Sequence, residues 1–193
     1  FDATWVTDGV REPHALVARI APEESSVPVF ENYDLDAQFK VMAKVRELSG
    51  VPVPEVHWLE EDPAAIGAPF FIMSRAEGLV PPDVMPYNFG DSWLYDASPE
   101  EQRRLEETTV DALAALHGIA DPEVHFEFLA SDAEGDTALR RHVADLYAYY
   151  EWVASDGNRS PLIERTFEWM DENWPADDTD VVSVVIANPL HRG

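Results

Sequence analysis

The chain has no cysteine. That absence removes disulfide frameworks, thiolate metal sites and cysteine nucleophiles together, and it fits a reducing compartment, with the cytoplasm as the expected location. No apolar run approaches the roughly 18 residues of a spanning helix, and the opening Phe1-Asp2-Ala3-Thr4 has neither the basic start nor the apolar stretch of a secretory signal. A soluble chain with no membrane partner is expected. Cations are scarce: 13 Lys+Arg stand against 38 Asp+Glu, a formal net charge of −25. Such a field repels a phosphate backbone, whose binding depends on cationic contacts that release counterions, so nucleic acid is a poor partner. The same field would draw in a cationic small molecule, and it serves equally well for plain solubility.

What is present suffices for a folded protein. With 193 residues, 46% hydrophobic and 11% aromatic, the chain can bury a sizeable core as one domain or two small lobes. Residues 2–8 and 14–20 are β-prone runs separated by a segment holding Asp8-Gly9, a pair that supplies the positive φ of a tight hairpin. From Asp36 to Ser49, Phe39, Met42, Val45 and Leu48 recur at helical spacing, with Gly50 placed for a left-handed cap. Val51-Pro52-Val53-Pro54 cannot be helical, because each proline removes a donor and biases its predecessor to extended geometry. Glu55–Leu59 and the apolar run Pro69-Phe70-Phe71-Ile72-Met73 read as strands.

The stretch from Glu77 to Ala97, rich in Pro, Gly, Asp and aromatics, reads as an irregular connector. Ser98-Pro99-Glu100-Glu101 is a capping box with proline at the first helical position, and it opens a helix running through Leu105, Thr109, Leu113 and Leu116 to Gly118. Further helices are predicted over Leu139–Val153 and Pro161–Trp174, and the β-branched run Val181–Ile186 suits a buried strand. Strands with one helix, then mostly helices, imply an α+β fold in two lobes.

Specific residues sharpen this order. Leu16-Val17-Ala18-Arg19-Ile20-Ala21-Pro22, Val51-Pro52-Val53-Pro54-Glu55-Val56, Gly67-Ala68-Pro69-Phe70-Phe71-Ile72-Met73-Ser74-Arg75-Ala76-Glu77-Gly78 and Ala112-Leu113-Ala114-Ala115-Leu116-His117 together resemble the aminoglycoside phosphotransferase family, in its bacterial branch of unassigned substrate. The resemblance covers about two-thirds of the chain and implies a protein-kinase-like fold. Residues 1–76 would be a partial N-lobe, a small antiparallel sheet with one helix, and residues 77–193 a partial helical C-lobe.

By this resemblance Arg19 is the basic residue of the third kinase strand, which contacts nucleotide phosphates. Lysine is usual there, but a guanidinium binds phosphate through two parallel hydrogen bonds. Gln38 falls near the helix position of the glutamate that pairs with that base; an amide accepts a hydrogen bond but cannot neutralise charge, so the usual ion pair is replaced or absent. Met73 to Gly78 resembles the hinge, where the Ser74 carbonyl and the Ala76 amide would meet adenine with Met73 packed beside it. Taken alone, the segment reads equally well as a strand exit ending at glycine. His117 matches a histidine that supports the catalytic loop, while His14, His57, His125 and His142 lack spaced partners.

Phosphoryl transfer on this fold needs a carboxylate to position the attacking hydroxyl, and magnesium held by an asparagine and an aspartate. By the resemblance, family members carry the catalytic carboxylate and the asparagine in a His-Gly-Asp-x-x-x-x-Asn loop. With Asn188 aligned to the metal-binding asparagine, Ser183 takes the aspartate's place and Val181 the histidine's. A serine hydroxyl is neither basic nor anionic near neutral pH. The chain therefore resembles an internal, catalytically incomplete piece; truncation or frame-shift after about Asp180, a longer parent chain, and a degenerate relative are the three explanations, and the abrupt loss of the match favours incompleteness.

The resemblance implies ATP and Mg2+ as cofactors and a small hydroxyl-bearing acceptor, a cationic one suiting the acidity. A non-catalytic nucleotide- or protein-binding module is the alternative. Unmade C-lobe helices would leave Phe167, Met170 and Trp174 exposed and invite self-association.

Overall fold

The computed structural model describes residues 1–22, 33–80, 90 and 92–178. Strand β1 (Asp2–Thr7) turns into β2 (Val10–Ile20) through Asp8-Gly9 alone, with φ of 51° and 82° at the two turn residues. Two successive positive φ values match the right-handed twist of the flanking strands. β2 begins earlier than the sequence suggests and runs through Pro13, which lies opposite Thr4. Leu16 exchanges hydrogen bonds of 2.9 and 3.0 Å with Phe1. By the alternation of strand bonding, Pro13's nitrogen then faces away from β1, where β4 does not reach, so no ladder bond is lost.

Helix α1 (Leu35–Leu48) opens on Asp34, whose carboxylate accepts the Ala37 N–H at 2.7 Å. Its end corrects the expected left-handed glycine cap. Ser49 closes it in extended geometry, with N–H and Oγ both donating to the Val45 carbonyl at 3.0 and 2.6 Å, and Gly50 has no positive φ. A hydroxyl one residue early satisfies the carbonyl that the glycine turn would have served.

Strands β3 (Val56–Glu60) and β4 (Phe70–Ser74) complete a four-stranded antiparallel sheet in the order β1-β2-β4-β3, with a bulge at His57. Phe39 of α1 meets Phe71 edge-on at 6.0 Å, so α1 covers the face of the sheet that bears Phe71. Phe71, Leu16 and Val45 are the most completely buried large side chains.

The connector holds a short helix, α2 (Trp93–Asp96), that its composition does not announce. In α3 (Pro99–His117) the capping box forms as expected: Ser98 Oγ accepts the Glu101 N–H at 3.3 Å and Glu101 accepts the Ser98 N–H at 2.8 Å. Of its apolar stripe only Leu116 is buried, and Leu113 stays half exposed. A single-turn helix, α4 (Pro122–His125), and a 3-10 turn follow. Val45, Leu116, Ile119 and Phe126 form one buried cluster, joined by Val41, Leu48, Val51 and Val53. The helix of the sheet is thereby fastened to the end of α3.

Helices α5 (Ala138–Val153) and α6 (Pro161–Glu172) are clasped by Arg159. Its guanidinium spans both Glu151 oxygens at 2.6 and 3.1 Å, bonds Glu164 and lies over the Tyr150 ring. Arg159 holds the Glu151 carboxyl below the usual carboxylate range, helped by a hydrogen bond from Tyr147. Beyond α6, Asp178 accepts from Trp174 Nε1 at 2.7 Å and Thr137 Oγ1 at 3.0 Å, with Arg140 at 3.4 Å stacked on Trp174. Phe167, Met170 and Trp174, expected to be exposed, are half-buried, because Tyr147, Tyr150 and Arg140 cover two of them. Leu162, Ile163 and Trp169 are the exposed ones. No helix among the described residues is long and apolar enough to cross a membrane. The expected strand at 181–186 lies outside the described residues.

Candidate functional site

The β2–β4 ladder sorts the candidate residues. Residues directly opposite in an antiparallel pair share a face, and Val17 pairs with Met73 while Arg19 pairs with Phe71. Because Phe71 meets Phe39, this face, with Val17, Arg19 and Met73, is the one that α1 covers. Arg19 is half-buried, and its side chain has no ion pair or hydrogen bond among the described residues. Gln38 stands one position before Phe39, three after the buried Leu35 and seven before the buried Val45, hence on the sheet-facing stripe of α1. Its Oε1 is buried and has no hydrogen-bond partner among the described residues.

The segment after β4 has part of its backbone engaged and part free. Ser74 N–H donates to the Glu55 carbonyl at 2.8 Å and Arg75 N–H to the Ala15 carbonyl at 2.9 Å. The Ala76 N–H has no partner among the described residues. The Arg75 side chain is tied to Glu77 at 3.1 Å and Asp2 at 3.6 Å. An open concavity lies further along, between Leu79 and the start of α3, lined by Trp93, Asp96, Leu105 and Thr108 among others. Arg19, Met73 and Ala76 are not in its lining.

Ser183 and Asn188 lie outside the described residues. His117 is exposed at the end of α3 and has no hydrogen bond, ion pair or ring contact to the other candidates among the described residues. No group of three His, Cys, Asp or Glu side chains that could hold a metal occurs among the described residues.

Sequence reasoning missed the opposite face of the sheet. There Trp5 stacks on His14 at 3.4 Å, Trp58 meets Trp5 edge-on at 5.4 Å, and His57 Nε2 sits 2.9 Å from Ser74 Oγ. His57 gains a hydrogen-bond partner across strands and His14 a stacked ring, while His14 Nε2 is buried with no hydrogen-bond partner among the described residues. The tight Asp8-Gly9 register would have aligned Trp5 near His14, but the bulge that turns His57 to this face has no signal in the sequence.

Comparison with known proteins agrees with the fold. A crystal structure of a "putative aminoglycoside phosphotransferase" from Ralstonia eutropha JMP134 superposes with a TM-score of 0.57 at 21% identity, over 94% of this chain and 47% of that one. Among curated proteins, "Probable acyl-CoA dehydrogenase IBR3" of Arabidopsis thaliana is 30% identical over 147 residues, 75% of this chain and 16% of that protein. "Acyl-CoA dehydrogenase family member 10" of Mus musculus is 24% identical over 160 residues, 83% of this chain and 14% of that protein. The chain thus spans about one-seventh of the curated relatives' length, and the activity in their names belongs to proteins far longer than the matched segment. The family model described as the phosphotransferase enzyme family, APH, matches residues 1–184, and the chain belongs to that family.

Proposed function

We propose that the chain forms the nucleotide-holding part of an ATP- and magnesium-dependent phosphotransferase acting on a hydroxyl of a small molecule. One observation carries this reading: the ladder sets Val17 beside Met73 and Arg19 beside Phe71 on the face under α1, and Met73 stands three residues before the Ala76 N–H, which has no partner among the described residues. Residues 1–76 are the nucleotide lobe in this reading, and residues 77–193 contribute to the helical lobe.

The residues present suit a nucleotide. The adenine edge offers one donor and one acceptor to the Ser74 carbonyl and the Ala76 N–H, while Met73 and Val17 supply an apolar wall. Arg19, with no carboxylate on it among the described residues, keeps its charge and its planar fork for phosphate oxygens. The nucleotide, when bound, supplies the phosphoryl group. Asn188 is the metal-ligating candidate, by sequence alignment. The formal net charge of −25 favours a cationic acceptor.

Ser183 supports a second element of the proposal. Without a carboxylate at that position nothing takes or orients the acceptor's hydroxyl proton, so this chain by itself binds nucleotide and does not turn it over. The alternative, a non-catalytic module, shares that expectation and differs in what nucleotide binding is for.

A thermal-shift titration with MgATP tests the reading. The wild-type chain is expected to melt higher as MgATP rises, and Arg19→Met to need on the order of tenfold more for the same shift, because a hydrogen-bonded charge pair is lost. No shift in the wild type, or equal shifts in both, overturns the assignment.

A further inference from the structure

Ser74 closes β4, and its carbonyl is one of the backbone groups proposed above to meet the adenine edge. A backbone acceptor reads a base well only if its position is set before the base arrives, since ordering it on binding subtracts from affinity. Ser74 is tied at three places: its N–H donates to the Glu55 carbonyl at 2.8 Å, the next N–H, of Arg75, donates to the Ala15 carbonyl at 2.9 Å, and its Oγ lies 2.9 Å from His57 Nε2. The main-chain ties use groups that any residue but proline offers. The third needs these particular side chains, and because a hydroxyl both donates and accepts, it forms with either tautomer of the imidazole.

A β-bulge serves that third tie. Val56 pairs with Met73 and Trp58 with Ile72, so His57 is the extra residue of β3. His57 and Trp58 both end on the face of the sheet away from α1, where strict alternation would put only one of them. The imidazole is then held among rings, with Trp58 at 5.3 Å and Trp5 edge-on at 6.1 Å. Trp5 is itself stacked on His14 at 3.4 Å.

We infer that His57 is a positioning residue for nucleotide binding, which acts through Ser74 from the face of the sheet opposite the nucleotide and fixes the Ser74 carbonyl for the adenine edge. The inference rests on the nucleotide-binding reading above. His57 touches neither base nor phosphate, so its effect falls on recognition of the base. Arg19, the proposed phosphate contact, pairs with Phe71 on the other face, three ladder positions from the Leu16–Ser74 pair. A residue that only filled the outer face would change stability and leave base preference alone.

The test measures affinity for MgATP and for magnesium inosine triphosphate by calorimetry, in wild type, Ser74→Ala, His57→Phe and His57→Gln. Inosine triphosphate keeps the ribose and phosphates but exchanges donor and acceptor on the edge of its base, so it binds without the bonds to Ser74 and Ala76. Wild type is expected to prefer MgATP by on the order of tenfold. Phenylalanine keeps a ring beside Trp5 and Trp58 and removes only the hydrogen bond. In His57→Phe and Ser74→Ala the affinity for MgATP is expected to fall about fivefold while that for the inosine nucleotide stays within about twofold of wild type. Glutamine places an amide near the position of Nε2 and is expected to bring MgATP affinity back to within about twofold of wild type. Ser74→Ala disturbs none of the rings and decides the matter if His57→Phe does not fold. Unchanged MgATP affinity in Ser74→Ala, or an equal fall for both nucleotides, overturns the role of His57 while the nucleotide reading stands. Failure of the wild type itself to bind MgATP overturns both.

Discussion

At the scale of single residues, much of this protein's local order comes from side chains that cap or pair a backbone group or a charge. Asp178 draws three partners, two from the start of α5 and one from the segment just past α6: Thr137 Oγ1, the Arg140 guanidinium and Trp174 Nε1. The Trp174 N–H, first, then Thr137 and Arg140 hold its carboxyl below the usual value. Its folded pKa therefore lies below the unfolded one of about 4, and the stabilisation is complete above that pH and lost as pH falls through the folded value. Asp178→Asn is expected to lower the melting temperature at pH 7, with the gap to wild type closing as the pH is taken to 3. A gap constant across that range would show that the charge of Asp178 contributes nothing. The strand positions of Arg19 and Met73 were legible in the sequence, as residues of β2 and β4. The outward cluster of Trp5, His14, His57 and Trp58 could not, because cross-strand neighbours depend on register and on one extra residue at a bulge.

At the scale of elements, the signals that the sequence carried in short, self-contained chemistry appear where expected. Asp8-Gly9 makes its turn, and Ser98 with Glu101 makes the capping box of α3. Ser98→Ala is expected to cost about 1 kcal/mol in chemical denaturation, since it uncovers an N–H of the first turn. A loss indistinguishable from zero would mean that the cap is made only part of the time. Elements that depend on tertiary context escaped. The end of α1 at Ser49 rather than at a glycine turn is a choice between two ways of satisfying the same carbonyl. The single-turn helices α2 and α4 are too short for any periodicity to reveal them. β2's entry through Pro13 is allowed only because β4 is short on that side.

At the scale of the whole molecule, α1, which covers the sheet, is joined to the end of α3 and the segment after it by an apolar cluster, Val45 with Leu116, Ile119 and Phe126. Leu116→Ala should therefore destabilise the protein by about 3 kcal/mol through a cavity at that junction, visible as an earlier loss of helical signal in denaturant. A change under about 0.5 kcal/mol, the usual scale of a surface substitution, would mean that the junction holds little. The α+β order was readable because strand and helix periodicities segregate along the chain. How the pieces meet was not, since Val45 and Leu116 are 71 positions apart and each looks like any other apolar position of its own helix. The functional account depends on where a purine sits. A crystal structure of the chain with a non-hydrolysable ATP analogue and Mg2+ is the direct measurement. The account expects the adenine edge within about 3.2 Å of the Ser74 carbonyl oxygen and the Ala76 nitrogen, with phosphate oxygens on Arg19. An adenine bound elsewhere, such as against Trp5 and Trp58 on the opposite face, with Arg19 untouched, would contradict it.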